Sequence, residues 1–203
     1  MLRLGVMGGT FDPLHWAHLV MAEESRMAFG LNKVLFIPAG QPPHKMCYHV
    51  SDAEHRYAMT ILGTVSNPAF EASRIELDRE GPSYSVDTIR QLKDLFGSDT
   101  ELYFILGADE AADLPKWHEA DTLPTLARFV VAPRHGLDVP EIKSMLPQHF
   151  LEAMGFLPMM PIDISATEIR SRVASGKSIK YLVPDDVEQY IRKNRLYSKG
   201  NTI

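Results

Sequence analysis

Cysteine is nearly absent: Cys47 is the single one among 203 residues, so no intrachain disulfide can form. A reducing, cytoplasmic setting is the expectation for such a chain. Positive charge is also short, with 21 Lys and Arg against 26 Asp and Glu and a formal net charge of −5. That balance argues against nucleic acid or a membrane surface as partner, because both reward a basic footprint. An anionic ligand would have to be met by locally placed cations. No apolar run is long enough to span a bilayer. The first apolar run starts at Leu2, which leaves no expected room for a signal peptide. Internal repeats and low-complexity tracts are missing too. With 45% apolar and 23% charged residues, the composition suits a globular core, and the length fits one domain over residues 1–203. Self-association is compatible with this composition, and a homo-oligomer is left open.

What is present is alternation. Four apolar runs, Leu2–Met7, Val34–Ile37, Leu102–Leu106 and Phe129–Ala132, read as parallel strands buried on both faces. A fifth strand is expected near Phe156–Ile162. Helical spacing predicts a helix over Trp16–Phe29, closed by Gly30. Ser51 with Glu54 matches a capping box, followed by Ala58, Ile61, Leu62 and Val65. Ser85 is expected to cap a helix carrying Ile89, Leu92 and Phe96, closed by Gly97. Gln41–Val50 reads as a loop, and Leu137–Leu157 as one or two helices. Ser165 with Glu168 is a second capping-box match, and a last helix is predicted from Asp185 to Asn194. Strands alternating with helices predict an α/β chain: a Rossmann-like, doubly wound, mainly parallel sheet with a small C-terminal helical part over about 165–197.

The chemistry concentrates at the ends of the predicted strands. Gly8-Gly9-Thr10-Phe11-Asp12-Pro13-Leu14-His15-Trp16-Ala17-His18 follows the first. Gly107-Ala108-Asp109 follows the third and Pro133-Arg134 the fourth. In open α/β sheets ligands bind beyond those carboxyl ends, so separate stretches point at one crevice. Gly8 and Gly9 read as a turn between strand and helix, where backbone N–H groups can hold a phosphate. No dinucleotide-type or P-loop glycine spacing accompanies them, so the glycines alone are weak evidence. His15 and His18 strengthen it: spaced by three, they share a face of the helix start and can donate to phosphate oxygens. A metal site is the weaker reading, since no cysteine or third ligand lies nearby in sequence.

Lys45 ends the stiff segment Pro42-Pro43-His44-Lys45 and could serve as a mobile positive charge, although a plain surface loop would look the same. Ser165, Thr167 and Arg170 lie on a capped helix start and suit a second anion site. Trp117 can stack on a flat heteroaromatic ring, although core packing is the commoner use of Trp. Ser85 marks a helix N-terminus where a carboxylate could sit. Cys47, His49, His55, His118, His135 and His149 read as structural or surface residues.

The run from Gly8 to His18 resembles the nucleotidyltransferase signature Gly-Gly-Thr-Phe-Asp-Pro-x-His-x-Gly-His. Ile164–Arg170 resembles its partner motif, Ile-Ser-Ser-Thr-x-Ile-Arg. Pro42–Lys45, Ser83–Thr88 and Gly107–Asp109 leading to Leu114–Trp117 narrow the likeness. Together they are similar to the bacterial nicotinate-nucleotide adenylyltransferase family, from Leu4 to about Tyr197. Ala17 stands where the signature has glycine and Ala166 where it has a second serine. The resemblance implies adenylyl transfer from ATP to nicotinate mononucleotide in NAD biosynthesis, by direct attack of the mononucleotide phosphate, with Mg²⁺ carried on ATP. It implies that Gly8, Gly9, Thr10, Phe11, His15 and His18 bind ATP. Ser165 and Thr167 would take the far phosphates, and Lys45, Arg134 and Arg170 would add charge. Catalysis would fall to His15, His18, Lys45 and Arg170. Ser85, Asp109, Trp117 and Arg134 would bind the mononucleotide, Asp109 through a ribose. No metal ligand is expected from protein side chains. Rival readings are a phosphopantetheine adenylyltransferase-like enzyme, a non-catalytic nucleotide-binding module on the same fold, or a metal-dependent hydrolase through the two histidines.

Overall fold

Apolar runs become buried strands in a computed structural model of the chain, which describes residues 1–42, 50–133 and 139–198. Lys45 and Arg134 lie outside the described residues, as do Cys47, His49 and His135. In chain order the elements are β1 (Arg3–Gly9), α1 (Trp16–Phe29), β2 (Lys33–Pro38), α2 (Ala53–Thr64), β3 (Phe70–Ala72), α3 (Ser85–Phe96) and β4 (Glu101–Gly107). Then come α4 (Ala108–Asp113), α5 (Leu123–Leu126), β5 (Arg128–Ala132), α6 (Val139–Met145), α7 (Gln148–Glu152), β6 (Met154–Phe156), α8 (Ala166–Ala174) and α9 (Asp185–Lys193). All strand pairs are parallel, in the order β3-β2-β1-β4-β5-β6. This is the doubly wound Rossmann order, in which the winding direction reverses between β1 and β4.

Period-two alternation sends successive strand residues to opposite faces. Leu4, Val6, Leu35, Ile37, Phe104 and Val131 pack on one face. Met7, Val34, Phe36, Ile105 and Val130 pack on the other. A third apolar cluster, built on Met59, Ile169, Val187 and Ile191, fastens α8 and α9 to α2. The C-terminal helical part is thus held against the main body by its own core.

Several boundaries differ from the sequence reading. Gly8 and Gly9 are not a turn; they are the last rungs of β1, paired with Ile37 and Pro38. The turn itself spans residues 10–15. Asp52, not Ser51, caps α2, its carboxylate accepting the Glu54 N–H at 2.8 Å. Ser85 does not cap α3 but is its first residue, after Tyr84. The expected strand at Phe156–Ile162 is instead β6, Met154–Phe156. Leu157 still donates to Val131 at 2.9 Å, but Pro158 has no N–H and the ladder ends there. The short strand β3 had no apolar run to announce it. Gly30 (φ 61) and Gly97 (φ 91) close their helices as expected.

Candidate active site

Two cavities of about 420 Å³ each open beyond the carboxyl ends of β1 and β4, where the strand order reverses. Gly8, Gly9, Phe11, Ser85 and Trp117 line the first. His15, Asp109, Ser165 and Thr167 line the second. His18, Met21, Glu110, Ala166 and Arg170 belong to both walls. The two cavities are therefore lobes of one crevice, each of a size that suits a small ligand.

The floor is bare backbone. A Cβ on Gly8 would meet the Phe104 ring at 3.2 Å, and one on Gly9 the Phe11 ring at 3.0 Å. A side chain at either position would crowd these rings, and with glycine a ligand can approach the main chain. Phe11 itself has φ 49, an uncommon conformation for a bulky residue. Its ring stands edge-on to His18, centroids 5.1 Å apart, and lies tilted against Phe36 at 5.9 Å. His15 is buried and stacks on His18 at 3.7 Å. The His15 N–H donates to His18 Nδ1 at 3.2 Å. An accepting Nδ1 puts the proton of the neutral ring on Nε2. Helix geometry thus brings both histidines to one face, as their spacing predicts.

The turn over residues 10–15 is held from behind, in part by two residues no local pattern had marked, Arg56 and Tyr197. Arg56, 2% exposed, donates to the Thr10 carbonyl and the Ser51 carbonyl, each at 2.9 Å, and to that of Gly40 at 3.4 Å. Burial lowers its pKa, opposed by the charges of Asp12, Asp52 and Glu76. Asp12, 4% exposed, accepts from the Tyr197 hydroxyl at 2.6 Å and from the Ser51 N–H at 3.2 Å. Burial first, and then the Asp12 charge, pushes the Tyr197 hydroxyl well above the usual phenol range. Arg170 donates through Nη1 to the Asp12 carbonyl at 2.7 Å and through Nη2 to Thr167 Oγ1 at 3.2 Å.

Opposite the turn stands α8. Ser165 caps it, accepting the Glu168 N–H at 3.1 Å, so the helix N-terminus faces the second lobe. Trp117 stands edge-on to Phe104, centroids 6.0 Å apart, with Ser85 on the same lobe. Asp109 lies with Ser165 and Thr167, not in the lobe that holds Ser85 and Trp117. Glu76, buried beside Ser83, accepts from Thr88 at 2.6 Å, and burial raises its pKa above the usual carboxylate range.

The Cytidylyltransferase-like family model matches residues 6–172. Two relatives named "probable nicotinate-nucleotide adenylyltransferase" are each 48% identical to this chain. One, from Thermoanaerobacter sp. (strain X514), aligns over 98% of the chain and 95% of its own length. The other, from Moorella thermoacetica, aligns over 96% and 91%. The chain belongs to the cytidylyltransferase-like family and, within it, to the nicotinate-nucleotide adenylyltransferases. The fold also matches that of the Plasmodium falciparum nicotinic acid mononucleotide adenylyltransferase complexed with NaAD. There the TM-score is 0.79 at 19% identity, covering 97% of this chain and 98% of the other.

Among its described residues, the crevice of this nicotinate-nucleotide adenylyltransferase holds few fixed cations. Of the described residues lining both lobes, Arg170 is the sole permanent positive charge, against Asp12, Glu76, Asp109, Glu110 and Asp113. No group of three His, Cys, Asp or Glu side chains among the described residues could hold a metal ion. No helix among the described residues is long and apolar enough to cross a membrane.

Proposed function

We propose that this adenylyltransferase joins ATP to nicotinate mononucleotide. A phosphate oxygen of the mononucleotide forms a bond to the α-phosphorus of ATP. The bond from that phosphorus to the bridging oxygen breaks, and pyrophosphate leaves with the electron pair. Nicotinate adenine dinucleotide results, with no covalent enzyme intermediate. The observation that carries this reading is the pair of equal lobes sharing His18 and Arg170. Both nucleotides extend across the two lobes, and the reacting phosphates meet at the shared wall.

In this reading ATP lies over Gly8, Gly9, Thr10 and Phe11, with its far phosphates at Ser165, Thr167 and the N-terminus of α8. His18 donates from Nε2 to an α-phosphate oxygen, and His15 backs it. Arg170 supplies charge at the wall between the lobes. Lys45 and Arg134, which the family resemblance assigns to the same work, would complete the positive field. Mg²⁺ on ATP would neutralise phosphate charge. Catalysis is then positioning plus preorganised electrostatics. Trp117 stacks on the pyridine ring. The first turn of α3, opened by Ser85, meets the nicotinate carboxylate with N–H donors. An amide would present donors to donors there, so the acid is preferred. Asp109 binds a ribose hydroxyl from the second lobe.

The test is pyrophosphate release from ATP with three acceptors: nicotinate mononucleotide, the corresponding amide and phosphopantetheine. Release with the acid in clear excess over both others is expected. Equal efficiency with the amide would remove the carboxylate reading. Nucleotide binding without release would leave only a binding module.

A further inference from the structure

The Tyr197 hydroxyl lies outside both cavities yet ends one bond from their floor. Its acceptor, Asp12, is buried, and a buried carboxylate must be met by donors. The short contact of 2.6 Å to Oδ1 is of the strong, charge-assisted kind. The Ser51 N–H occupies Oδ2, and the Asp12 carbonyl accepts from Arg170. Asp12 thus joins three chain segments to its own; of the four, the residue 10–15 turn and α8 line the crevice.

The approach of Tyr197 is built rather than incidental. Its backbone takes φ 62, a left-handed conformation that aromatic residues rarely adopt. Leu196, buried in the third apolar cluster, donates its N–H to Ile191 at 3.0 Å and fixes the turn that precedes it. The chain is bent at this point so that the hydroxyl arrives beneath the turn. Tyr190, on α9 in the same cluster, offers a contrast: its hydroxyl meets His55 Nδ1 at 2.9 Å and touches no wall of the crevice.

The geometry points to Tyr197 as a positioning residue for adenylyl transfer, acting through Asp12 on the phosphate-facing turn and on Arg170. This rests on the function proposed above. Tyr197→Phe keeps the ring and its packing and deletes only the donor. Asp12 then loses its strongest partner, and the turn and Arg170 lose their common reference. A displacement of about 1 Å in reacting groups lowers rates by up to about a hundredfold.

The experiment measures kcat, the KM for ATP and the melting midpoint of wild type, Tyr197→Phe and Tyr190→Phe, with assays well below every midpoint. Tyr197→Phe is expected to lose about tenfold to a hundredfold in kcat with little change in KM. Tyr190→Phe, which removes an equivalent hydroxyl from the same cluster, should keep wild-type kcat at a similar loss of midpoint. Asp12→Asn combined with Tyr197→Phe should be no slower than Asp12→Asn alone, because both remove one linkage. Wild-type kcat in Tyr197→Phe would overturn the inference, as would equal losses in both tyrosine variants or full additivity with Asp12→Asn. A wild type that releases no pyrophosphate would sink the proposed function itself, and the inference with it.

Discussion

Replacing Arg56 with Met should unfold the protein's scaffold before it touches its chemistry. Arg56 is among the largest fully buried side chains, and its guanidinium reaches three carbonyls in three segments. Two of those bonds, to Ser51 and Thr10, are short at 2.9 Å, and the third is long. Hydrogen bonds from a charged donor contribute about 1.5–3 kcal/mol each. The two short ones alone give about 3–6 kcal/mol. Met packs well in the space and removes the desolvation of a buried cation, which offsets part of the loss. It also leaves Asp12 without the nearby charge that balances it. A net destabilisation of about 3–5 kcal/mol follows, which for a chain of this size lowers the melting midpoint by roughly 10 °C. Arg56→Lys keeps the charge but not the fork, so an intermediate loss is expected. Thermal and urea unfolding of the three proteins measures this. A midpoint within about 2 °C of wild type for Arg56→Met would refute the claim that this residue clamps the turn.

His18→Ala should lower kcat about 10²–10³-fold, the effect of losing one preorganised donor at a developing charge. Near-normal turnover would take His18 out of the catalytic role. Trp117→Ala should raise KM for nicotinate mononucleotide roughly tenfold or more while leaving KM for ATP near wild type, because a stacked base is worth about 1–3 kcal/mol. Parallel rises in both constants would show that the residue serves the fold instead. Glu76→Gln tests the buried carboxyl. Its pKa is raised by burial, so its favourable contribution holds below the unfolded value and is lost as pH rises through the folded one. The Gln variant should therefore gain on wild type in urea unfolding as pH rises above the ordinary carboxylate range, and a difference independent of pH would contradict the assignment.

Four strands were legible because a strand buried on both faces needs an unbroken apolar run. β3 was not, and β6 was placed too late in the chain: each is three residues long, with no fully buried residue. The start of α2 was misplaced by one residue because Ser51 and Asp52 are both competent caps, and only the path of the chain chooses between them. Gly8 and Gly9 were misread as a turn because glycine is silent about which conformation it takes; their pairing with β2 is a tertiary fact. The crevice itself was readable. His15, His18, Ser165 and Arg170 sit within short motifs, and the strand-end rule brought those motifs together. Arg56 and Tyr197 were invisible for the opposite reason. Their partners lie 46 and 185 residues away, and neither belongs to a pattern with its partner.

The shared wall between the lobes has a consequence for inhibition. Fragments that fill the lobes separately would come to rest on either side of His18 and Arg170. Tethering them across that wall makes the second binding event intramolecular, at an effective concentration in the millimolar range, and adds about 10²–10⁴ in affinity without a new contact. The dinucleotide made in the crevice is already such a tethered pair. The enzyme must therefore loosen its grip once the bond has formed, and the dinucleotide is expected to inhibit turnover by competing with both substrates.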